Sequence, residues 1–284
     1  MEKNNSPKFI DVHAHVQFAA YDEDRKDVLL RAKESDTWMI NVGTKLSTSK
    51  DAVKLAEENE GVYAIIGLHP IHTSASFHDK DEIGEEGEPF KSKGEDFDLE
   101  EFEKLIAHPK VVGVGECGLD FFRIEGDRDE YIERQVSVFK SQIDLAVKYD
   151  KPLMIHCREA YPEVLKILSE KKKIYGEKLR GNFHFFAGSL EEAAQILELG
   201  FNFSFTGVIT FAKQYTDLVR FAPLERIFSE TDCPYVTPEP YRGQRNEPVY
   251  VSEVVKKIAE IKSLDFDVVR EQLVRNAIDF FKLT

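Results

Sequence analysis

The sequence predicts an α/β protein, a (β/α)8 barrel of the TIM type, and three observations predict it. Short β-branched or aromatic runs alternate with amphipathic helical stretches eight times, which implies a parallel sheet. The series fits in 284 residues, the usual size of one such barrel. Most of the runs deliver a His, Asp or Glu where they stop. A doubly wound open sheet would gather such residues at one switch point, whereas a barrel brings all its strand ends to one mouth.

Taken in order, the run KFIDV predicts a strand at 8–12, followed by helix at 22–34. WMINV predicts a second strand at 38–42, with helix at 47–59, and VYAIIG a third at 62–67. The rhythm then breaks. From Ser74 to Asp98 the chain is rich in Asp and Glu, carries Gly84, Gly87, Pro89 and Gly94, and has neither period. That composition predicts an exposed acidic insertion after strand three, read first as a solvated loop without a role and alternatively as a lid bordering the mouth. The alternation resumes with helix at 98–107, strand at 111–115 (VVGVG) and helix at 127–149. LMIH predicts strand at 153–156 with helix at 161–173, and GNFHF strand at 181–185 with helix at 189–199. FNFSF at 201–205 precedes helix at 212–221, and RIFSET at 226–231 precedes helices at 249–262 and 265–282. The unbroken series predicts one domain over 1–284.

Composition narrows the function. With 52 acidic against 38 basic residues the formal net charge is −14, so a nonspecific grip along duplex DNA is not expected. A phosphate substrate remains open, because metal ions and nearby arginines can reverse the sign within one cleft. The N-terminal residues show no apolar signal-peptide core, and no apolar run reaches the roughly 18 residues of a membrane span. Cys117, Cys157 and Cys233 make no disulfide framework and fit a cytoplasmic protein. Each follows a candidate ligand, so each should point outward into the packing beneath the helices.

The ligand pattern carries the chemistry. His13 and His15, two apart on one strand, share a face and can bind one cation together. Glu116 follows strand four, His156 and His184 close strands five and six, and Asp232 closes strand eight. Imidazoles suit zinc, while carboxylates also accept Mg²⁺ or Mn²⁺. The six divide into two sites: His13, His15, Glu116 and Asp232, and Glu116, His156 and His184, with Glu116 shared. One or two divalent cations are expected. Asp11 should face away from the two histidines or support them from behind. For substrate, His69 after strand three could donate a hydrogen bond. Arg158, two beyond His156, could hold a phosphate. Arg123 and Asp120 occupy the loop after Glu116. Arg242, Arg245 and Asn246 follow strand eight, where barrels commonly bind phosphate. His72, His78 and His108 lie outside the set.

In order, the motifs DVHAH, GLHP, GECGLDF, IHCREA, HFFAG, ETDCPY and RGQRNEP resemble those of the TatD-type metal-dependent deoxyribonucleases of the amidohydrolase superfamily. The resemblance runs from about Phe9 to NAIDFF near the C-terminus, and the seven motifs together are specific. It implies a TIM barrel with one or two cations that hydrolyses DNA phosphodiesters at strand ends or damaged sites, commonly as a 3′–5′ exonuclease with Mg²⁺. It also implies that Asp232 orients or deprotonates the attacking water and that Glu116 bridges the cations. The 74–98 stretch is longer than the corresponding family loop. No protein partner is inferable. Three other readings compete: a small-molecule amidohydrolase or esterase, an esterase that removes amino acids from tRNA, and a binding protein with a structural metal.

Overall fold

Eight strands hydrogen-bond in the order β1 to β8, every neighbouring pair parallel, as a (β/α)8 sheet requires. The computed structural model describes residues 6–74, 94–122, 124 and 126–284. The strands are β1 (Phe9–Ala14), β2 (Thr37–Val42), β3 (Val62–Ile66), β4 (Val111–Asp120), β5 (Leu153–Arg158), β6 (Gly181–Phe183), β7 (Asn202–Phe205) and β8 (Ile227–Ser229). Among the described residues the α-helices are α1 (Arg25–Glu34), α2 (Leu46–Glu58), α3 (Leu99–Ile106), α4 (Arg128–Lys148), α5 (Tyr161–Tyr175), α6 (Leu190–Glu198), α7 (Thr216–Phe221), α8 (Val251–Lys262) and α9 (Phe266–Phe281). β8 is short, and the seam with β1 is completed beyond it. Asp232 N donates to His13 O at 2.9 Å and His15 N to Cys233 O at 3.0 Å.

Two apolar layers follow from the period-2 alternation of buried strands. Ile10, Val12, Ile40, Val42, Ile65, Val112, Met154 and Phe228 fill the inside of the barrel. Met39, Ala64, Ile66, Leu153, Ile155 and Phe203 pack in the larger cluster beneath the helices. Val274, Ala277 and Phe281 of α9 join the inner cluster, and Tyr63 Oη donates to Thr284 O at 2.5 Å. The last helix therefore closes one end of the barrel and leaves the other for chemistry.

The ladder slips where the ligands stand. Between Asp11 and Ala14, β1 carries one more residue than its partner, and β4 does the same between Val114 and Cys117. A bulge of this kind turns the following side chains to the other face. Ile10 and Val12 face inward, yet beyond the bulge it is His13 and His15 that do. In β4, Glu116 and Asp120 face inward while Cys117 and Leu119 join the outer cluster. Cys117 and Cys233 are fully buried there and Cys157 packs against it, all as free thiols, so the packing expected of them is what they do.

Most of the acidic insertion, 75–93, and with it the lid expectation and His78, lies outside the described residues. Its return is anchored: Glu95 N donates to His72 O at 2.8 Å, and the Phe97 ring stacks on Phe102 at 4.6 Å.

Candidate metal centre

All six expected ligands converge at the open end. His13 Nε2 lies 3.2 Å from His15 Nε2, 3.4 Å from Glu116 Oε2 and 3.7 Å from Asp232 Oδ1. His15 Nε2 lies 3.4 Å from the same Asp232 oxygen. On the other side of Glu116, Oε1 stands 3.0 Å from His156 Nδ1 and 2.8 Å from His184 Nε2, and those two nitrogens are 3.4 Å apart. A cation with bonds of about 2.1 Å in tetrahedral geometry spaces its ligands about 3.4 Å apart. The first cluster and the His156–His184 pair are near that spacing, while Glu116 Oε1 stands closer to the two imidazoles, at hydrogen-bond distance; Glu116 gives one oxygen to each side.

The atoms behind the ligands fit a metal as well. His15 Nδ1 meets the Val42 carbonyl at 2.8 Å, which leaves Nε2 bare toward the cluster. His156 Nε2 meets Asp120 Oδ2 at 2.8 Å, which leaves Nδ1 bare. His184 Nδ1 faces Glu230 Oε1 at 3.7 Å. An oxygen behind the second nitrogen is how metal-binding histidines are held in tautomer and orientation. Asp11 supports from outside: it accepts from His13 N at 3.2 Å, Thr231 N at 2.9 Å and Thr231 Oγ1 at 2.5 Å, tying β1 to the segment after β8.

Charge points the same way. Burial pushes Glu116 up, but His184, His69, His13 and His156 together hold it well below the ordinary carboxylate range. Burial likewise opposes ionisation of Asp232 and Asp120, and the imidazoles beside them win in both cases. Burial should depress His184, yet Glu116 and Glu230 raise it well above its ordinary value, and carboxylates raise His15 and His156 too. Three buried carboxylates thus draw positive charge into the pocket. Divalent cations would supply it and release the protons.

His69 behaves differently. Its Nδ1 accepts from Ile71 N at 3.1 Å, so the ring proton belongs on Nε2, which points at Glu116 Oε1 from 3.2 Å. Burial drives its pKa down to about 4, so the ring is a neutral donor rather than a cation. Arg158 is exposed at the end of β5, its guanidinium 3.5 Å above the Phe122 ring.

Three expectations need correction. Arg245 donates to both Asp24 carboxylate oxygens, at 2.9 and 2.7 Å, and to Ala20 O at 2.6 Å, and it lies over Tyr21. Asn246 is fully buried and donates to Thr231 O and Tyr235 O while accepting from Glu247 N. Both side chains fasten the loop after β8 to the barrel: the Asn246 amide has both N–H groups engaged, and the one Arg245 N–H without a partner, at Nε, is buried. Arg123 lies outside the described residues. Glu116 is within β4 rather than at its end, because the bulge lets the strand run on to Asp120.

Asp120 is read from the sequence as a loop residue near substrate, and three further residues that support the site are not singled out there. For Asp120, its spacing of four from Glu116 was the available signal. Glu230 sits fully buried beside His184 and accepts from Phe185 N at 2.6 Å. Gln135 and Gln142 are fully buried seven apart on α4. Gln135 pairs with Asp120 N and O at 2.9 and 3.1 Å, and Gln142 with Leu68 N and O at 2.9 Å each. One helix thereby fixes the backbone at Asp120 and beside His69.

The family profile described as TatD related DNase matches residues 10–282. The chain is 37% identical over 276 residues to the metal-dependent hydrolase YabD of Bacillus subtilis, covering 96% of this chain and 98% of that protein. It is 31% identical over 261 residues to the metal-dependent hydrolase YcfH of Escherichia coli K12, covering 90% and 88%. Among solved structures, the TatD homologue YjjV of E. coli K12 superposes with a TM-score of 0.80 at 27% identity, covering 98% of this chain and 99% of that one.

Proposed function

The chain belongs to the TatD-related DNase family of metal-dependent hydrolases, and from that premise we propose that it hydrolyses phosphodiester bonds of DNA, attacking single strands or ends in the 3′–5′ direction. The observation that carries the reading is Glu116, which gives one oxygen to each of two ligand clusters. Two adjacent divalent cations in such an arrangement, whether Mg²⁺, Mn²⁺ or Zn²⁺, acidify water and draw charge from phosphate oxygens.

The chain's own side chains would divide the remaining work. Asp232 is ionised and stands at the edge of the His13–His15 cluster, where its carboxylate can orient the attacking water and take its proton. His69 holds a neutral Nε2–H beside Glu116 Oε1; turned to a developing phosphate oxyanion, that donor would stabilise the transition state more than the substrate. Arg158 adds a guanidinium for a neighbouring phosphate oxygen. Asp120, Glu230 and the Val42 carbonyl hold the imidazoles in register. Among the described residues no helix is long and apolar enough to cross a membrane, and with three free cysteines we assign the activity to the cytoplasm.

The test follows a 5′-labelled single-stranded oligonucleotide with metal-stripped protein resupplied with each cation, beside Asp232→Asn. Cation-dependent shortening from the 3′ end, lost in the variant, is the expected result. Metal-loaded protein that leaves the oligonucleotide intact refutes the reading and favours a small-molecule or aminoacyl ester substrate.

A further inference from the structure

Two arginine–aromatic stacks at the open end have no part in the metal centre. Arg158 Cζ lies 3.5 Å from the Phe122 ring centroid, and Arg242 Cζ lies 4.1 Å from that of Phe211. Both rings are exposed, Phe122 by 41% and Phe211 by 38%. Apolar rings this exposed at the mouth of a hydrolase call for an explanation that scattered surface leucines do not. A third stack, Arg245 on Tyr21, provides the contrast: that ring is fully buried and that guanidinium is paired with Asp24. No carboxylate among the described residues pairs with Arg158 or Arg242.

Both stacks are wired to the centre. Phe122 N donates to Asp120 Oδ1 at 3.0 Å, and the other oxygen of Asp120 holds His156. The second stack stands on the loops after β7 and β8. Arg242 Nη1 donates to Thr237 O at 2.9 Å, Glu239 N to Thr210 Oγ1 at 2.9 Å, and Tyr235 N to Asp232 O at 2.9 Å. The first stack follows β4 and β5 and the second follows β7 and β8, so they stand on different sides of the candidate ligand clusters.

We propose that these stacks are two base-binding platforms for single-stranded nucleic acid, one on each side of the scissile phosphate. This rests on the phosphodiesterase reading and names what holds the strand. A guanidinium laid on a ring offers its outer plane to a base and its in-plane N–H groups to the flanking phosphate, so one element binds both parts of a nucleotide. Stacking accepts every base and needs it unpaired, which predicts single-strand preference without sequence preference. It also places positive charge locally in a chain whose formal net charge is −14.

Phe122→Ala, Phe211→Ala and the double variant test it with a fluorescein-labelled oligothymidylate of roughly 12 nucleotides, within the usual site sizes for such strands. Binding is read by anisotropy, with Mg²⁺ and in EDTA. Turnover is read in parallel on the oligonucleotide and on bis(p-nitrophenyl) phosphate, which carries no nucleobase and no flanking phosphate. Each single variant should weaken binding roughly 5- to 150-fold, the range for loss of one stacked base. KM for the oligonucleotide should rise relative to KM for the small diester. Double-variant affinity within twofold of wild type, or no binding by wild type in either buffer, overturns the platforms. Wild type that binds the strand yet cleaves neither diester refutes the phosphodiesterase reading and leaves the platforms standing. Tighter binding of duplex than of single strand also overturns them.

Discussion

Replacing Gln142 by leucine removes a buried amide that pairs with both backbone polar groups of Leu68, at 2.9 Å each. Leu68 is 1% exposed and Gln142 fully buried, so water cannot replace either bond. Leucine is of similar volume, which isolates the polar loss from a cavity effect. Each buried group left without a partner costs about 1–3 kcal/mol, so the pair together cost about 2–6 kcal/mol. For a chain of this size each kcal/mol lowers the thermal midpoint by about 2–4 °C, which puts the expected fall on the order of 10 °C. The assay is thermal unfolding of metal-free protein followed by circular dichroism, with Gln195→Leu on the exposed side of α6 as the control. The control should stay within about 0.5 kcal/mol of wild type. If Gln142→Leu also unfolds within about 2 °C of wild type, the clamp from α4 to the His69 segment contributes nothing and the reasoning fails.

Glu116→Gln keeps the shape of the bridge but makes one ligand atom an amide nitrogen. Bound metal per folded chain, measured by plasma emission after dialysis, should drop by at least one equivalent; an unaltered content sinks the shared-ligand arrangement. Glu230→Gln weakens the support behind His184 and should cost about 10- to 100-fold in metal affinity by titration calorimetry; wild-type affinity contradicts that role. At Gly118, where φ is +136°, a Cβ would fall 1.9 Å from His156 O. Gly118→Ala should therefore open the β4–β5 pairing and cost more than about 3 kcal/mol, and a soluble variant with a wild-type unfolding midpoint would show the strand placement to be wrong. The His69 ring should titrate near pH 4 in metal-free protein rather than near its ordinary 6.5. The unfolded chain then takes up the proton first, so this residue's contribution to stability is present above pH 6.5 and declines as pH falls toward 4. A ring NMR midpoint at or above 6.5 would contradict that assignment.

Much of the fold and centre was legible because parallel strands buried on both faces read as apolar runs, and the residue that stops each run is conspicuous. His13, His15, His156, His184 and Asp232 announced themselves in this way, and α4 was read to within a residue of its ends. The misreadings cluster where local pattern and final pairing part. Asp120 looked like loop because glycines at 113, 115 and 118 interrupt the apolar run. Glu230 looked like one more acid in an acidic chain. Arg245 and Asn246 carried the right donors for a phosphate, but nothing local shows that Asp24, some 220 residues away, takes up the guanidinium.

The sequence by itself determined the barrel and the family and singled out six candidate ligands that the structure brings together, because strand period, spacing and residue chemistry are local quantities. Only the tertiary structure decided which atoms face which. The bulges in β1 and β4 turn His13, His15 and Glu116 inward, the oxygens behind the imidazoles select their ligating nitrogens, and glutamines from α4 fix the backbone beneath them. Those outcomes depend on ladder register and on contacts between distant segments, and register is settled only when the whole sheet closes.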